Sequence, residues 1–212
     1  MKRTVESTKL KINEIFYSLQ GEGARAGEPS IFIRLQGCSA KNACFKSGVH
    51  CDTEFESGYE MSVEELKDYL LYNYSTDCEW IVWTGGEPSD QLTDEIVAYF
   101  KPYKQAIETS GIKSPPTNLD WVVVSPKVAE HVILKKLPIR RNQGIHCDEL
   151  RWVRKTGQAI PETKILANRY FISPHFNGEE IDMESLNHCI QLCLDNPKWT
   201  LSVQQHKLWK VR

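Results

Sequence analysis

The chain has 212 residues, of which 41% are hydrophobic and 25% charged, and its formal net charge is −2. That is ordinary for one soluble domain, 1–212, with a buried core, and it lacks the basic excess that marks a nucleic-acid binder. No apolar run approaches the roughly 20 residues of a membrane span. The polar start Met1-Lys2-Arg3-Thr4-Val5-Glu6-Ser7 has no apolar signal core, so neither membrane nor nucleic acid is expected as a partner and a cytoplasmic protein is.

β-rich runs alternate with amphipathic ones. The predicted strands are Lys11–Ser18, Ser30–Leu35, Trp80–Thr84, Gln105–Glu108, Trp121–Ser125, Glu149–Arg154, Tyr170–Ser173 and Thr200–Gln204. Consecutive apolar residues, as in Trp121-Val122-Val123-Val124, suit strands covered on both faces. Ser62-Val63-Glu64-Glu65 reads as a capping box opening a helix to about Tyr72. Thr93–Phe100 and Met183–Asp195 are two further helices, and Lys113–Asp120 and Leu137–Cys147 read as loops. Alternation of strand and helix implies a parallel α/β sheet, and about eight strands with few long helices suggest an incomplete barrel.

Seven cysteines without a signal peptide do not make a disulfide framework. Three of them, Cys38, Cys44 and Cys51, cluster in a C-x5-C-x6-C loop. Cys38 follows a strand through a glycine and so sits where α/β folds bind ligands. Soft thiolates suit an iron–sulfur cluster or zinc. The loop alone leaves both open, with His50 as a possible fourth zinc ligand. Cys189 and Cys193, at i and i+4 on an apolar helix face, read as core packing, and Cys78 and Cys147 as incidental.

Thr84-Gly85-Gly86-Glu87-Pro88, Glu108-Thr109-Ser110-Gly111 and Ser125-Pro126-Lys127 follow three successive strands. They place polar groups on one rim. Paired glycines admit close approach of backbone to a ligand, although a tight turn with a solvated Glu87 is the plainer reading of that motif alone. Leu19-Gln20-Gly21-Glu22-Gly23 follows the first strand. Arg34 lies within the second and needs a carboxylate or an anionic ligand. Gln204-Gln205-His206-Lys207 closes the last strand. Lys135, Lys136, Arg140 and Arg141 read as a solvated basic face, with a docking patch as the functional alternative.

Together these motifs are specific. Ile12-Asn13-Glu14-Ile15-Phe16-Tyr17-Ser18-Leu19-Gln20-Gly21-Glu22-Gly23, Phe32-Ile33-Arg34-Leu35-Gln36-Gly37-Cys38, Cys51-Asp52-Thr53, the three rim motifs and Leu201-Ser202-Val203-Gln204-Gln205-His206-Lys207 resemble the 7-carboxy-7-deazaguanine synthases of the radical S-adenosylmethionine (SAM) superfamily. The resemblance implies an incomplete (β6/α3) radical-SAM barrel and a homodimer. It implies a lyase that converts 6-carboxy-5,6,7,8-tetrahydropterin to 7-carboxy-7-deazaguanine with loss of ammonia, on the route to queuosine and related 7-deazapurines. Implied cofactors are a [4Fe–4S] cluster on Cys38, Cys44 and Cys51, SAM, and Mg²⁺ at Thr53. An electron donor such as flavodoxin is an implied partner.

By the same resemblance, Gly85, Gly86, Glu87, Ser110, Ser125 and Lys127 bind SAM, and Leu19, Glu22, Arg34, Thr84, His206 and Arg212 hold the pterin. The loop departs from the superfamily's C-x3-C-x2-C, which weighs most on Cys44, and His50 replaces the usual aromatic before the last cysteine. Two alternatives stand beside this reading. One is another small radical SAM enzyme, such as a glycyl-radical activase. The other is a non-catalytic zinc or binding protein on the same scaffold.

Overall fold

The computed structural model describes residues 4–46, 51, 53–74, 77–140 and 144–212. Residues 1–3, His50, Asp52 and Arg141, used in the reading above, lie outside the described residues. Among the described residues the strands and α-helices run in the order β1 (Lys9–Leu19), β2 (Pro29–Leu35), α1 (Lys41–Lys46), β3 (Tyr59–Ser62), α2 (Val63–Asn73), β4 (Trp80–Gly85), α3 (Asp94–Tyr99), β5 (Lys104–Thr109), β6 (Trp121–Val124), α4 (Glu130–Lys136), β7 (Cys147–Arg154), β8 (Ala167–Pro174), β9 (Phe176–Asn177), β10 (Glu180–Ile181), α5 (Met183–Asp195), β11 (Trp199–Leu201) and α6 (Gln205–Trp209).

Nine strands form one sheet in the order β11-β8-β7-β6-β5-β4-β2-β1-β3. Pairings from β11 to β2 are parallel, and β1 and β3 close one edge antiparallel. The mostly parallel α/β sheet is therefore as expected, and every predicted strand is present. The edge strand β3 and the hairpin β9–β10 were not anticipated. They are too short to carry an alternation, and β3 opens on exposed Tyr59 and Glu60. The last predicted strand is the one substantial correction. It ends at Leu201, and Gln205–Trp209 is a helix. Ser202 N still bonds Ile172 O at 2.9 Å, but Gln205 N bonds Gly21 O at 2.9 Å, which draws the chain off the sheet.

α2 starts on the expected capping box: Glu65 N donates to Ser62 Oγ (3.1 Å) and Ser62 N to Glu65 Oε2 (2.7 Å). Asp182 caps α5 by accepting from Glu184 N and Ser185 N. The helices α1, α4 and α6 span two turns or less, too few for periodicity to reveal. Among the described residues no helix is long and apolar enough to cross a membrane.

Strand register divides the sheet into two unlike faces, because neighbouring side chains point to opposite sides. One face carries Ile31, Ile33, Leu35, Ile81, Trp83, Ile107, Val122, Val124, Leu150 and Ile172. It packs with Leu66 and Leu70 of α2 and Ile96 and Val97 of α3 in the main core. Cys189 is buried in that core and Cys193 packs against it, which bears out their reading as packing residues, and Cys78 and Cys147, read as incidental, are buried there too. The other face has only a small apolar patch of Phe32, Val82 and Ala106, flanked by Phe16, Trp80 and Trp121. The same register places Glu14, Arg34, Thr84, Glu108, Glu149 and Arg151 on it. A charged sheet face inside a folded domain is costly unless it is paired or serves a ligand.

Candidate active site

The rim motifs meet as the sequence suggests. Gly86 N donates to Leu35 O (3.1 Å) and Glu87 N to Gly37 O (3.0 Å). A Cβ on Gly86 would lie 1.9 Å from Gly37 O and 2.9 Å from Cys38 Cβ, so only glycine lets this turn support the cysteine loop. Gly85 has φ +117°, and a Cβ there would strike the backbone of Leu35. Glu87 is buried and not a solvated turn residue. Its carboxylate accepts from Ser89 N (3.1 Å), Thr109 Oγ1 (2.6 Å), Ser110 N (3.0 Å) and Ser110 Oγ (2.5 Å). These four donors occupy the four lone-pair sites of the carboxylate, and they tie the loop after β4 to the loop after β5. Ser125 N reaches Thr109 O at 2.9 Å, and Lys127 Nζ lies 3.4 Å from Ser125 Oγ, which adds the loop after β6.

Cys38 and Cys44 are half-buried and Cys51 is exposed. Burial pushes the Cys38 thiol up, and Glu87, Cys44 and Cys51 add to the rise, against the Ala40 backbone. Burial also raises Cys44, while the Lys127 ammonium pulls the other way. Cys38 thus senses the charge of both other thiols, and Cys44 that of Cys51. Among the described residues no three His, Cys, Asp or Glu side chains converge as on a single ion. A tetrahedral zinc wants its thiolates about 2.3 Å from one point, whereas an iron–sulfur cluster takes cysteines on separate irons. The thiol donor set, with Cys38 seated on the Gly86 turn, is of the soft kind that an iron–sulfur cluster takes. Ser39 N, next to Cys38, is anchored on Asp90 Oδ2 at 2.8 Å. Thr53 O accepts from Cys51 Sγ at 3.6 Å, so Thr53 stands beside the last cysteine.

Below the rim, Arg34 and Thr84 are register partners on β2 and β4. Arg34 Nη1 lies 3.7 Å from Glu14 Oε2, but its buried Nε has no hydrogen-bond partner. The acid that a structural reading of Arg34 requires is therefore present, yet it leaves one donor unanswered. Thr84 Oγ1 donates to Glu108 Oε2 (3.3 Å) and Gln20 Nε2 to Glu108 Oε1 (3.1 Å). Glu22 meets this group through Arg151, whose Nη1 lies 3.4 Å from Glu22 Oε2 and 3.1 Å from Glu108 Oε1. Arg151 Nη2 donates to Glu22 O at 3.2 Å and Nε to Glu149 Oε2 at 2.7 Å. Burial opposes the charge on Arg151, but Glu149, Glu108 and Glu22 outweigh it and hold its pKa above the ordinary arginine value. Arg25, in the turn after β1, is lowered by burial, with Glu28 opposing. It stacks 3.6 Å from the Trp80 ring.

The C-terminal segment completes this face. A Cβ on Gly21 would lie 2.0 Å from His206 Nδ1, so α6 sets His206 directly on the Gln20–Glu22 turn. Gly23 N donates to Ser202 Oγ at 2.9 Å. Lys207 Nζ bonds Gly178 O at 2.8 Å, which braces α6 on the β9–β10 hairpin. Arg212 pairs with Glu14, and Ser18 Oγ donates to Arg212 O. Arg34 and Arg212 thus share Glu14 and flank Phe16, at 5.5 and 5.9 Å from the ring centre. Leu19 and Arg212 line an open cleft of about 450 Å³ with Tyr17, Ser18, Pro29 and Val211.

Sequence reasoning assigned no role to Glu108, Glu149 or Arg151. The signal was there: Glu149 and Arg151 stand two apart on β7, which puts two opposite charges on one face. Arg140, grouped with the basic loop, instead pairs with buried Asp148 at 2.9 Å. Lys135 and Lys136 are exposed at the end of α4.

No family model matches the chain. It is similar to proteins named 7-carboxy-7-deazaguanine synthase. The one from Bacteroides thetaiotaomicron is 36% identical over 95% of this chain and 98% of the relative. That from Bradyrhizobium diazoefficiens is 34% identical with the same coverage. That from Caulobacter vibrioides is 31% identical over 92% of this chain and 96% of its own. The crystal structure of QueE from Escherichia coli superposes with a TM-score of 0.63 at 24% identity, over 92% of this chain and 94% of that one, which shows a shared fold.

Proposed function

The chain belongs to the 7-carboxy-7-deazaguanine synthase family, radical SAM lyases of queuosine biosynthesis, and from that premise we propose how its residues serve the conversion of 6-carboxy-5,6,7,8-tetrahydropterin to 7-carboxy-7-deazaguanine. The observation that carries the reading is the seating of Cys38 against Gly86 at the end of a sheet face that bears Arg34 and Thr84 side by side. A cofactor rim and a polar substrate face thereby share one end of the sheet.

Cys38, Cys44 and Cys51 would hold a [4Fe–4S] cluster. Gly85, Gly86, Glu87, Ser110, Ser125 and Lys127 form the SAM site. Glu87 serves there chiefly by shaping the turn, since Ser89, Thr109 and Ser110 occupy its carboxylate. Cluster and SAM, when bound, would supply radical chemistry for hydrogen abstraction. The protein contributes position, because hydrogen transfer demands close approach of the two carbons. Leu19, Glu22, Arg34, Thr84, His206 and Arg212 hold the pterin. The unpartnered Nε of Arg34 supports a bidentate grip on the substrate carboxylate. Thr53 offers a hydroxyl oxygen to Mg²⁺, a hard cation that accepts oxygen ligands.

Residues 1–212 are read as one radical SAM domain whose sheet curls into an incomplete (β6/α3) barrel. Two contacts support the curl. Five strand intervals separate β7 from β1, about 24 Å in a flat sheet. Yet Glu22, a few residues beyond β1 and within about 10 Å of its end by chain length, touches Arg151 of β7. Ser202, beyond β11 at the opposite edge, likewise reaches Gly23. A cytoplasmic homodimer reduced by flavodoxin completes the proposal, with exposed Lys135 and Lys136 available to an acidic donor.

The test is an anaerobic assay of reconstituted protein with SAM, dithionite, Mg²⁺ and the carboxypterin. Both 5′-deoxyadenosine and the deazapurine are expected. 5′-Deoxyadenosine without deazapurine would point to another radical SAM activity, and a colourless zinc protein would overturn the reading altogether.

A further inference from the structure

We infer that Arg151 is a positioning residue for substrate recognition, holding Glu22 and Glu108 aimed at the N–H-rich edge of the pterin. The inference rests on the reading of this sheet face as the pterin site.

Arg151 uses its fork in three directions: Nε to Glu149, Nη1 to both Glu108 and Glu22, and Nη2 to the Glu22 carbonyl. Lysine, a single point charge, cannot make this set of bonds. The exposures are graded. The Arg151 and Glu149 side chains are 6% and 0% exposed, while Glu22 and Glu108 are 21% and 27% exposed. Glu149 is consumed by the protein, accepting also from Trp121 Nε1 at 2.8 Å and Ala24 N at 3.2 Å. It anchors the guanidinium from below. Glu22 and Glu108 are held from the buried side and keep acceptor capacity on the open side.

Charge points the same way. Three carboxylates surround one guanidinium, and Arg25, the next cation, pairs with Glu28 at 2.9 Å and feels Glu108 and Glu149 less strongly. An excess of acceptors suits a heterocycle edge that donates several N–H bonds and repels a carboxylate. The substrate's own carboxylate is then directed to Arg34. Arg151 thus acts through Glu22 and Glu108 and fixes which end of the pterin enters which side of the face.

The experiment compares wild type with Arg151→Lys and with the paired change Arg151→Gln plus Glu149→Gln. The paired change removes both buried charges and leaves Trp121 and Ala24 an acceptor. Carboxypterin and SAM affinities are measured by calorimetry on cluster-loaded protein without reductant, alongside KM, kcat and urea unfolding. Tenfold or greater weakening of pterin binding and a matching rise in KM are expected, with SAM affinity within twofold and a smaller effect on kcat. A folded variant with wild-type pterin affinity overturns the inference. So does an equal loss of SAM affinity, or failure of both variants to fold, since either makes the role structural. Absence of pterin binding in wild type would instead overturn the underlying assignment of the site.

Discussion

Arg151 on β7 and Glu22 in the turn after β1 lie 3.4 Å apart, guanidinium Nη1 to carboxylate Oε2, although their strands are five positions apart in the sheet. The proposed substrate face is therefore assembled from both ends of the sheet. Its polar residues are fixed by side-chain pairs that include distant strands, and the rim after β4 by contacts with the neighbouring loops after β2 and β5. The two parts should respond differently to mutation.

The rim responds through backbone clearance. Gly86→Ala would place a Cβ 1.9 Å from Gly37 O and against Cys38. It should reduce the iron retained after anaerobic reconstitution by more than half. Gly157→Ala has open space around it and only φ +83° to accommodate, a cost of about 1–2 kcal/mol, and should retain iron fully. Equal iron contents in the two variants would show that the Gly86 contact does not shape the cysteine loop.

Glu87 should act on stability before any ligand is bound. Glu87→Ala strands two buried backbone N–H groups, of Ser89 and Ser110, and two hydroxyls. At about 1–3 kcal/mol for each unsatisfied group, with partial relaxation, the apo protein should lose roughly 3–5 kcal/mol in urea unfolding. Glu87→Gln keeps one acceptor oxygen and should lose less. An alanine variant within about 1 kcal/mol of wild type would contradict this hub.

His146 gives the fold a pH dependence. Its Nδ1 accepts from Leu166 N at 2.8 Å, which requires that nitrogen to be unprotonated. Burial pulls its pKa below the ordinary histidine value. The unfolded chain then binds the proton first, so stability is greatest above about pH 6.5 and falls as the pH drops through that value toward the lower folded pKa. His146→Asn should flatten the difference in unfolding midpoint between pH 7.5 and pH 5.5. Parallel pH curves for the two proteins would remove His146 from the account.

Thr53→Ala tests the metal assignment. The variant should keep its cluster absorbance and lose most of the stimulation of turnover by Mg²⁺. Unchanged stimulation would assign the cation elsewhere.

Most of the sheet and the whole rim were legible in the sequence, because strand-end glycines and consecutive apolar residues are local signals. The β3 edge and the β9–β10 hairpin lack such signals. The helical turn at Gln205–Trp209 was read as strand because its cause, the bond from Gln205 N to Gly21 O, spans nearly the entire chain. Glu149 and Arg151 escaped for the same reason. Their alternation was visible, but Glu22 and Glu108, which give it meaning, lie on other strands and turns. Arg34 was legible as a choice between an acid and a ligand, and the structure supplies Glu14 while leaving Nε unmatched.

The bond from Gly23 N to Ser202 Oγ joins residues 179 apart. During synthesis the early turn must wait for that distant segment to emerge before its closing contact can form, and non-local closure of this kind is slow. The nascent protein therefore passes through an interval in which β1 to β8 have been made and this turn still lacks its partner. Chaperone capture and proteolytic clipping should concentrate in that interval, at the Gln20–Arg25 turn.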